Sequence, residues 1–185
     1  MTLVSLVNAN TAPDSVRQFY ANGDPGPIAS SLAHIPDIMQ KALPFVAATL
    51  GPSKIDIRTK EIVILRASAL QECRYCTSTH SFIARNSGLS KEEVMSLRDK
   101  DDGTTAFADE RERVLIRWTN AVAVGPQEIG TALKEEFKEY FTEAEVVELT
   151  LLVGATVLLN RYATALDLPA AATHLEFLKN EGLLC

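Results

Sequence analysis

Two cysteines and a histidine form the part of this sequence whose residue types and spacing are best suited to chemistry. Cys76 follows Cys73 by three residues, and His80 follows Cys76 by four. At about 100° per residue in an α-helix, the three side chains fall within an arc of roughly 60° on one face. Residues three apart on a helix can form a disulfide, and an imidazole at the i+4 position can reach a sulfur. If a helix begins near Cys73, its unpaired backbone N–H groups also favour the thiolate, so the spacing predicts a redox-active dithiol.

Glu61 is a charged residue in an otherwise apolar helical stretch and is the second candidate for chemistry. Its neighbours on the same predicted helix face include Ile64 and Leu65, so we expect the carboxylate to be at least partly buried. Burial without a polar partner would destabilise the fold or force protonation of the carboxylate. The next predicted helix carries Cys76 and His80, which are the nearest candidates for that partner.

The elements that position these residues are predicted to be helices. Apolar residues recur with a period near 3.6, and no stretch alternates convincingly with a period of two. The predicted helices cover residues 35–50 with a kink at Pro44, 57 to about 70 with Asp56 as N-cap, and 73–87 ending at Gly88. Capping boxes at Ser90–Glu93 and Thr142–Glu145 open two more helices. Another helix ends at Gly125, shorter helical segments extend through Phe137, and Pro169 begins the last helix. The sequence therefore predicts an all-α fold of roughly seven or eight helices, with the C-x-x-C motif at the start of a helix.

A chain of 185 residues is predicted to form one domain with an irregular N-terminal part. The segment Asn22–Pro27 concentrates residues that favour turns, so we interpret residues 1–30 as an arm or loop. Residues 31–185 then make up a single helical domain.

Composition and charge exclude several classes of function. Lys+Arg 18 against Asp+Glu 24 gives a net charge of -6, and no segment concentrates basic residues, so neither a nucleic acid nor a membrane surface is an expected partner. The longest uncharged apolar stretch, Leu149–Leu159, is shorter than the roughly 20 residues of a membrane span, and the N-terminus does not resemble a secretory signal. We therefore expect a soluble, cytoplasmic protein. Since cytosolic thiols are mostly reduced, paired cysteines there favour redox or metal chemistry over a structural bridge.

The spacing of Glu61, Cys73, Cys76 and His80 resembles the core motif of the AhpD-like alkylhydroperoxidases, within the carboxymuconolactone decarboxylase superfamily. More loosely, the similarity extends from residues 32–36 through 88–90 to Asn160 and Arg161, and looks like the peroxidase-related branch. The resemblance implies an all-α fold, a homo-oligomer and a site that reduces hydroperoxides. It implies that Cys76 is the peroxidatic cysteine, that Cys73 resolves it, and that Glu61 and His80 form a proton relay. A dithiol reductant would reopen the disulfide, and no flavin, haem or metal cofactor would be required.

Two further residues are weaker candidates for the pocket. Well-described members of the family carry a second histidine between the cysteines, where this chain has Tyr75. A tyrosine titrates near pH 10 and cannot replace a neutral histidine as a base around pH 7, so Tyr75 is interpreted either as pocket lining or as a packing residue. His34 lies within the upstream similarity and either approaches the pocket or is structural.

Several alternative functions remain open from the sequence. Cys73, Cys76 and His80 could bind zinc, although no fourth cysteine or histidine lies nearby. A decarboxylase of the carboxymuconolactone type could use the same fold, but its chemistry gives no reason for paired thiols. A redox-sensing oligomer, whose disulfide changes an interface, is the non-enzymatic alternative. The third cysteine, Cys185, lies at the C-terminus and is expected to take no part in the chemistry.

Overall fold

Helices account for all regular secondary structure in residues 2–184, which are the residues that this computed structural model describes. Cys185 lies outside the described residues. The α-helices are α1 (Pro27–Leu32), α2 (Pro36–Leu50), α3 (Ile57–Leu70), α4 (Arg74–Asn86), α5 (Lys91–Arg98), α6 (Glu110–Val124), α7 (Thr131–Tyr140), α8 (Glu143–Ala165) and α9 (Ala172–Asn180). Two 3₁₀ helices span Asp14–Tyr20 and Pro126–Glu128. The predicted all-α fold is confirmed.

Local hydrogen bonds explain why most helices begin where the sequence predicts. Asp56 accepts a hydrogen bond from the backbone N–H of Thr59 at the start of α3. The capping boxes that open α5 and α8 are both complete, because each N-cap hydroxyl and its glutamate three residues later exchange hydrogen bonds with the backbone. Such signals depend only on neighbouring residues and are therefore readable in the sequence.

The prediction differs from the structure at two helices. The sequence does not predict α1, a helix of six residues that opens with Pro27 after Gly26 at φ +88°. The last helix begins at Ala172, so the prediction that it begins at Pro169 is wrong. After α8 the chain turns through Asp167 at φ +51°, and Ala171 is still extended, so Pro169 lies in the connection between the two helices.

Helix α8 extends beyond both ends of the uncharged apolar stretch at residues 149–159. Among the described residues it is the one helix that passes a test for membrane crossing by length and composition. It packs against α2, α3, α4 and α6, as the core helix of a globular domain does. Packing within the bundle therefore explains the apolar character of its buried face, whereas Val147, Leu151 and Leu158 are exposed.

Helix α3 lies at the centre of the bundle and packs against α4, α5, α6 and α8. Every residue from Lys60 to Ser68 is buried, including the complete aliphatic run Ile62–Leu65. Full burial of each such aliphatic side chain contributes about 1.5–3 kcal/mol. The enclosed part of this helix also contains three charged residues, Lys60, Glu61 and Arg66.

Two of those buried charges are neutralised by groups from the surrounding loops and helices. The Lys60 ammonium donates to the carbonyls of Thr49 (3.0 Å) and Gly51 (2.6 Å) and pairs with Glu148 at 2.8 Å. The Arg66 guanidinium donates to the Asn120 side chain and to three carbonyls in the loop after α5, those of Leu97, Asp99 and Asp101. Since buried charges are tolerated only when paired, these contacts fix α3 against its neighbours.

The N-terminal segment packs on the same bundle. The backbone N–H of Leu3 donates to the carbonyl of Leu166, and that of Val7 donates to the carbonyl of Ser30. The first 3₁₀ helix, Asp14–Tyr20, buries Val16 and Tyr20 in a small cluster with Met39 of α2. Residues 2–30 therefore cover the end of the bundle at which α8 ends.

Removal of the Arg66 side chain tests how much the fold depends on its hydrogen bonds. We expect Arg66→Met to lower the free energy of unfolding by about 3 kcal/mol or more, because buried carbonyls lose their donor. Urea unfolding of the reduced protein measures the difference. The matched control is Arg161→Met at an exposed arginine of α8, for which a change within about 0.5 kcal/mol is expected. Equal effects of the two substitutions would contradict this role of Arg66.

Candidate active site

A tight turn between α3 and α4 places the two cysteines beside the centre of the bundle. Glu72 adopts a left-handed conformation (φ +53°), and the backbone N–H of Cys73 donates to the carbonyl of Ser68 (3.1 Å). Such a bond across a left-handed residue closes the C-terminus of α3 and reverses the chain. As a result α4 runs back along α3, and His80 comes to lie opposite Glu61.

The two cysteine sulfurs are neighbours at the start of α4 and are not bonded to each other. Cys73 is the N-cap residue, with φ −79° and ψ 99°, and its Sγ accepts a hydrogen bond from the backbone N–H of Cys76 at 3.3 Å. The two Sγ atoms lie 2.7 Å apart, and both residues are buried. The C-x-x-C motif therefore forms a compact pair in its dithiol form at the predicted helix start.

The surroundings of the pair favour a thiolate on one sulfur only. The hydrogen bond from the Cys76 thiol, together with the backbone N–H of Cys76, lowers the pKa of Cys73 to about 6. The same hydrogen bond raises the pKa of Cys76, because the Cys76 thiol is the donor, and burial acts in the same direction. The reduced pair thus holds one proton near neutral pH, with the thiolate on Cys73 and the thiol on Cys76. The sequence predicts a lowered pKa at the helix start and does not distinguish the two sulfurs.

Glu61 and His80 form a hydrogen-bonded pair across the two helices. The His80 Nδ1–H donates to the Glu61 carboxylate, at 2.9 Å from Oε2 and 3.2 Å from Oε1. Glu61 is almost fully buried, so His80 is the polar partner that its position requires. A carboxylate that accepts from Nδ1–H fixes the orientation and tautomer of the ring and leaves Nε2 to exchange a proton elsewhere.

A cavity of about 200 Å³ connects this pair to Cys76. Its wall contains Cys76 and His80 and does not contain Cys73. The remaining lining residues come from α1, α2, α3, α4, α8 and the loop before α1, and most of them are apolar: Pro25, Ile28, Ala29, Leu43, Val46, Leu50, Ile64, Ser68, Tyr75, Thr156, Leu159 and Asn160. A bound molecule would therefore meet the sulfur of Cys76, the imidazole of His80 and a mainly hydrocarbon wall.

A second, more polar hollow of about 210 Å³ lies on the other side of the cysteine pair. Cys73 lines it together with Glu72, Arg74, Asp167 and other residues from the start of α4 and the end of α8. The two sulfurs thus face different spaces.

The two weaker sequence candidates have different outcomes. Tyr75 lines both cavities, and burial together with the neighbouring thiols raises its pKa to about 12. It therefore serves as pocket lining and keeps its proton at neutral pH. His34 is exposed, and its Nε2 lies 2.8 Å from the backbone oxygen of Ser5 in the N-terminal arm. His34 is not part of either cavity wall.

Sequence reasoning did not assign three residues that the fold brings to this region. Ser68 and Asn160 are buried in the cavity wall, where the Ser68 hydroxyl donates to Asn160 Oδ1 at 3.1 Å. His174 of α9 stacks on Phe82 with 4.3 Å between ring centroids, and burial and the nearby His80 lower its pKa. A buried asparagine directly after the apolar run 149–159 is a sequence signal for Asn160, whereas nothing local marks His174.

Metal binding by these side chains was an alternative from the sequence. Within residues 2–184, no group of three or more histidine, cysteine, aspartate and glutamate side chains is arranged to hold a metal ion. His80 uses Nδ1 for Glu61, and the cysteine pair is held together by its own hydrogen bonds. The contacts present are those of a dithiol with a neighbouring histidine–carboxylate pair.

Comparison with known proteins agrees with this arrangement. A model of the carboxymuconolactone decarboxylase family matches residues 36–121, which include all four residues of the motif. A solved structure of an uncharacterized peroxidase-related protein from Ralstonia eutropha JMP134, described as an alkylhydroperoxidase AhpD core, matches with a TM-score of 0.81 over 96% of this chain and 95% of that one, at 19% identity. Residues 36–121 are thus similar to the carboxymuconolactone decarboxylase family, and the chain as a whole shares the fold of AhpD-like proteins.

Two further similar proteins are an uncharacterized protein and a debrominase. The uncharacterized protein YnjA of Escherichia coli (strain K12) is 28% identical over 119 residues, a match that spans 64% of either chain and thus just under two thirds of the relative. The debrominase Bmp8 matches with a TM-score of 0.80 over 97% of both chains, at 21% identity. At such identities the structural similarities establish a shared AhpD-like fold, and the reaction has to be argued from the residues of this chain.

The asymmetry of the cysteine pair predicts how the reduced protein titrates. We expect one thiolate per chain to appear with a midpoint near pH 6, from Cys73, whose ordinary value is 9.0. Ultraviolet thiolate absorbance during a pH titration measures it. Because the folded-state pKa lies below the ordinary one, thiolate formation stabilises the folded reduced protein above that midpoint, and this contribution is lost as the pH falls through about 6.

Two variants assign that thiolate to its residue. Cys73→Ser should abolish the low-pH transition, and Cys76→Ala should move it upward because the donor to Cys73 is lost. A transition near pH 6 that survives in Cys73→Ser would contradict the assignment.

Proposed function

We propose that this protein is a thiol peroxidase that reduces hydroperoxides through a Cys73/Cys76 dithiol–disulfide cycle, with Glu61 and His80 as the proton relay. The observation that carries the proposal is the placement of Cys76 and His80 in the wall of one cavity, with the Cys73 sulfur 2.7 Å behind that of Cys76. A nucleophile, a group for proton transfer and a resolving thiolate are thus within one site. Similarity of residues 36–121 to the carboxymuconolactone decarboxylase family, together with the shared AhpD-like fold, supports an enzymatic role for these residues.

The first step uses Cys76 because its sulfur faces the cavity. Its raised pKa keeps Cys76 protonated in the resting pair, so the proton has to leave as the sulfur attacks. His80 accepts that proton at Nε2, while Glu61 holds the ring through Nδ1 and stabilises the imidazolium. The Cys76 sulfur bonds to the terminal oxygen of the hydroperoxide, the O–O bond breaks, and His80 returns the proton to the leaving oxygen. The products are an alcohol and a sulfenic acid on Cys76.

The second step uses the low pKa of Cys73. Because Cys73 is already a thiolate near neutral pH, it attacks the Cys76 sulfenic acid directly, forms the disulfide and releases hydroxide, which takes up one proton from the buffer and leaves as water. A dithiol reductant then supplies two electrons and two protons in total to restore the pair. The two cysteines thus have different tasks, and their different surroundings suit those tasks.

The shape of the cavity supports an organic hydroperoxide as the substrate. An apolar protein cavity of about 150 Å³ holds benzene, so a cavity of about 200 Å³ suits a molecule of one ring or a short branched chain. Most of the lining side chains are aliphatic, which favours an apolar group on the peroxide. We take cumene hydroperoxide as the probe of this class.

A second candidate reaction uses the same two electrons. The debrominase Bmp8 shares this fold, and a cysteine-to-alanine variant of it was solved in complex with 2,3,4-tribromopyrrole. An apolar cavity beside a cysteine with a resolving thiolate also suits a small halogenated ring. Brominated pyrroles therefore belong beside hydroperoxides in the substrate screen. The decarboxylase alternative is less well supported, because no lysine or arginine lines the cavity to bind the carboxylates of its substrate.

Self-association and a cytoplasmic location complete the proposal. A surface hollow of about 710 Å³ is lined by four exposed, large apolar side chains of α2 and α8, namely Phe45, Val147, Leu151 and Leu158. A second copy of the chain would bury this surface. A paired, redox-active dithiol with a low pKa suits a reducing compartment such as the cytosol.

Substitution of each cysteine tests the peroxidase cycle. We expect wild-type protein with one equivalent of cumene hydroperoxide to lose about 2 Da, mapped to a disulfide between Cys73 and Cys76 and reversed by a dithiol. Cys73→Ser should stop at a sulfenic acid on Cys76, and Cys76→Ser should consume no peroxide beyond the background rate. Peptide mapping by mass spectrometry measures all three.

Three outcomes would change the proposal. Equal peroxide consumption by Cys76→Ser and wild type would contradict the role of Cys76. Unchanged thiols with cumene hydroperoxide, but disulfide formation with a brominated pyrrole, would favour debromination. Slow, sub-stoichiometric oxidation together with a large change in assembly would favour a redox sensor.

The relay has a separate prediction. We expect His80→Gln and Glu61→Gln to slow the oxidation of Cys76 by about 10²–10⁴-fold, because the proton on Cys76 loses its acceptor or that acceptor loses its orientation. Stopped-flow measurement of thiol loss gives the rate. His34→Gln, at a histidine outside the cavity, is the matched control and should react as wild type does. A rate for His80→Gln within threefold of wild type would contradict the relay.

A further inference from the structure

Asn160 carries a buried polar group that the structure leaves without a partner. Its side chain is almost fully buried, and Nδ2 has no hydrogen-bond partner. A buried amide nitrogen without a partner destabilises the folded state by about 1–3 kcal/mol. Such a group in a folded protein calls for an explanation, and a ligand that accepts its hydrogen bond is one.

The position of Asn160 distinguishes it from other unpaired groups. Within residues 2–184, the buried side-chain atoms that lack a partner belong to Gln71, Thr79, Ser81, Asn160 and His174. Of these residues, Asn160 alone lines the cavity that also contains Cys76 and His80. The unpaired donor therefore lies in the wall of the proposed reaction site.

A hydrogen bond from Ser68 shows which polar atom of the Asn160 amide has a partner and which has none. The Ser68 hydroxyl donates to Asn160 Oδ1 at 3.1 Å, so the carbonyl end of the amide is engaged and Nδ2 is the free end. Ser68 is itself fully buried, and its backbone carbonyl accepts from the N–H of Cys73. One residue of α3 thus orients both the amide of Asn160 and the start of the cysteine pair, which sets the donor in advance of substrate binding.

We propose that Asn160 Nδ2 donates a hydrogen bond to the leaving oxygen of the hydroperoxide as the O–O bond breaks. This role rests on the proposed peroxidase function and adds a catalytic residue to it. When Cys76 attacks the terminal oxygen, negative charge develops on the other oxygen, next to the organic group. His80 supplies the proton to that oxygen, and Asn160 stabilises the charge before the proton arrives. A fixed donor in a mainly apolar cavity is effective at this task, because it needs no reorganisation during the reaction.

The hydrogen-bond inventory of the cavity leaves this task to Asn160. The Thr156 hydroxyl donates within its own helix to the carbonyl of Leu152 (2.8 Å), and the Ser68 hydroxyl is engaged with Asn160. The phenol of Tyr75 interacts with the Thr79 side chain, and Tyr75 lines both this cavity and the hollow at Cys73. The remaining lining residues, apart from Cys76 and His80, have apolar side chains.

The test compares two oxidants that differ in the basicity of the leaving oxygen. Cumene hydroperoxide releases a strongly basic alkoxide, whereas perbenzoic acid, of similar size, releases a weakly basic carboxylate that needs little stabilisation. We expect Asn160→Leu to slow the oxidation of Cys76 by cumene hydroperoxide by about 10²–10³-fold, which is typical for loss of one such donor. With perbenzoic acid the loss should be less than about threefold, because the barrier depends little on that donor. Stopped-flow measurement of thiol loss gives both rates.

A second variant retains the amide and guards against a folding defect in Asn160→Leu. Ser68→Ala removes the hydrogen bond that orients the amide, so we expect a smaller loss with the same dependence on the leaving group. The matched control is Thr119→Val, which removes a buried hydroxyl on α6 that is bonded within its own helix and lies outside the cavity. It should change neither rate. Reaction of every variant with an aromatic disulfide reports the intrinsic reactivity of the dithiol.

The outcomes separate this role from the proposed function. A larger loss with cumene hydroperoxide than with perbenzoic acid, in both Asn160→Leu and Ser68→Ala, would support the role. Equal losses with the two oxidants, or no loss, in variants that react normally with the disulfide would overturn it and leave the peroxidase function in place. Failure of the wild-type protein to react with either peroxide would overturn the peroxidase function and this role with it.

Discussion

The burial of α3 on every side is the constraint on which the rest of the structure depends. Because no face of this helix meets solvent between residues 60 and 68, each charged residue in that stretch must find its partner on another element. Lys60 and Arg66 donate to backbone carbonyls at the ends of α2 and α5, and Lys60 also pairs with a carboxylate of α8, so these contacts fix neighbouring helices. Glu61 is neutralised by a side chain that can itself exchange protons. The same requirement thus gives structural contacts at Lys60 and Arg66 and a pair of titratable side chains at Glu61 and His80.

The second organising feature is the difference between two sulfurs that are close neighbours. Cys73 lies just outside the helix, where its sulfur accepts a hydrogen bond from the backbone N–H of Cys76 and lies 2.7 Å from the other sulfur, and Cys76 lies inside the helix. A hydrogen bond between two equal thiols must favour ionisation of one at the expense of the other. The sulfur with the lower pKa faces the polar hollow and the other faces the apolar cavity. Position along the first turn of α4 therefore sets both the charge and the access of each cysteine.

The sequence predicts the parts of this site that depend on local spacing, and it does not predict the parts that depend on packing. N-caps and capping boxes involve residues three apart, so the starts of α3, α5 and α8 follow from the sequence. The pairing of Glu61 with His80 follows from the sequence because a carboxylate in a buried, mainly apolar helix needs a polar partner, and the next helix carries one. In contrast, the cavity wall joins α1 and α2 to α8, and Asn160 meets Ser68 across 92 positions of the chain. The position of His34 outside the cavity walls has the same origin, because its contact with Ser5 depends on the path of the N-terminal arm.

Tyr75 lies between the two cysteines, where well-described AhpD-like proteins carry a second histidine, and this difference limits how protons can move in the site. Burial and the neighbouring thiols raise the pKa of this phenol to about 12, so it keeps its proton and cannot act as a base near neutral pH. In the proposed peroxidase cycle, proton transfer is therefore left to the single pair of Glu61 and His80. With one imidazole serving first as acceptor and then as donor, the leaving oxygen is unprotonated for part of the reaction. A fixed hydrogen-bond donor is most valuable in that interval, and the open amide of Asn160 lies in the same cavity wall.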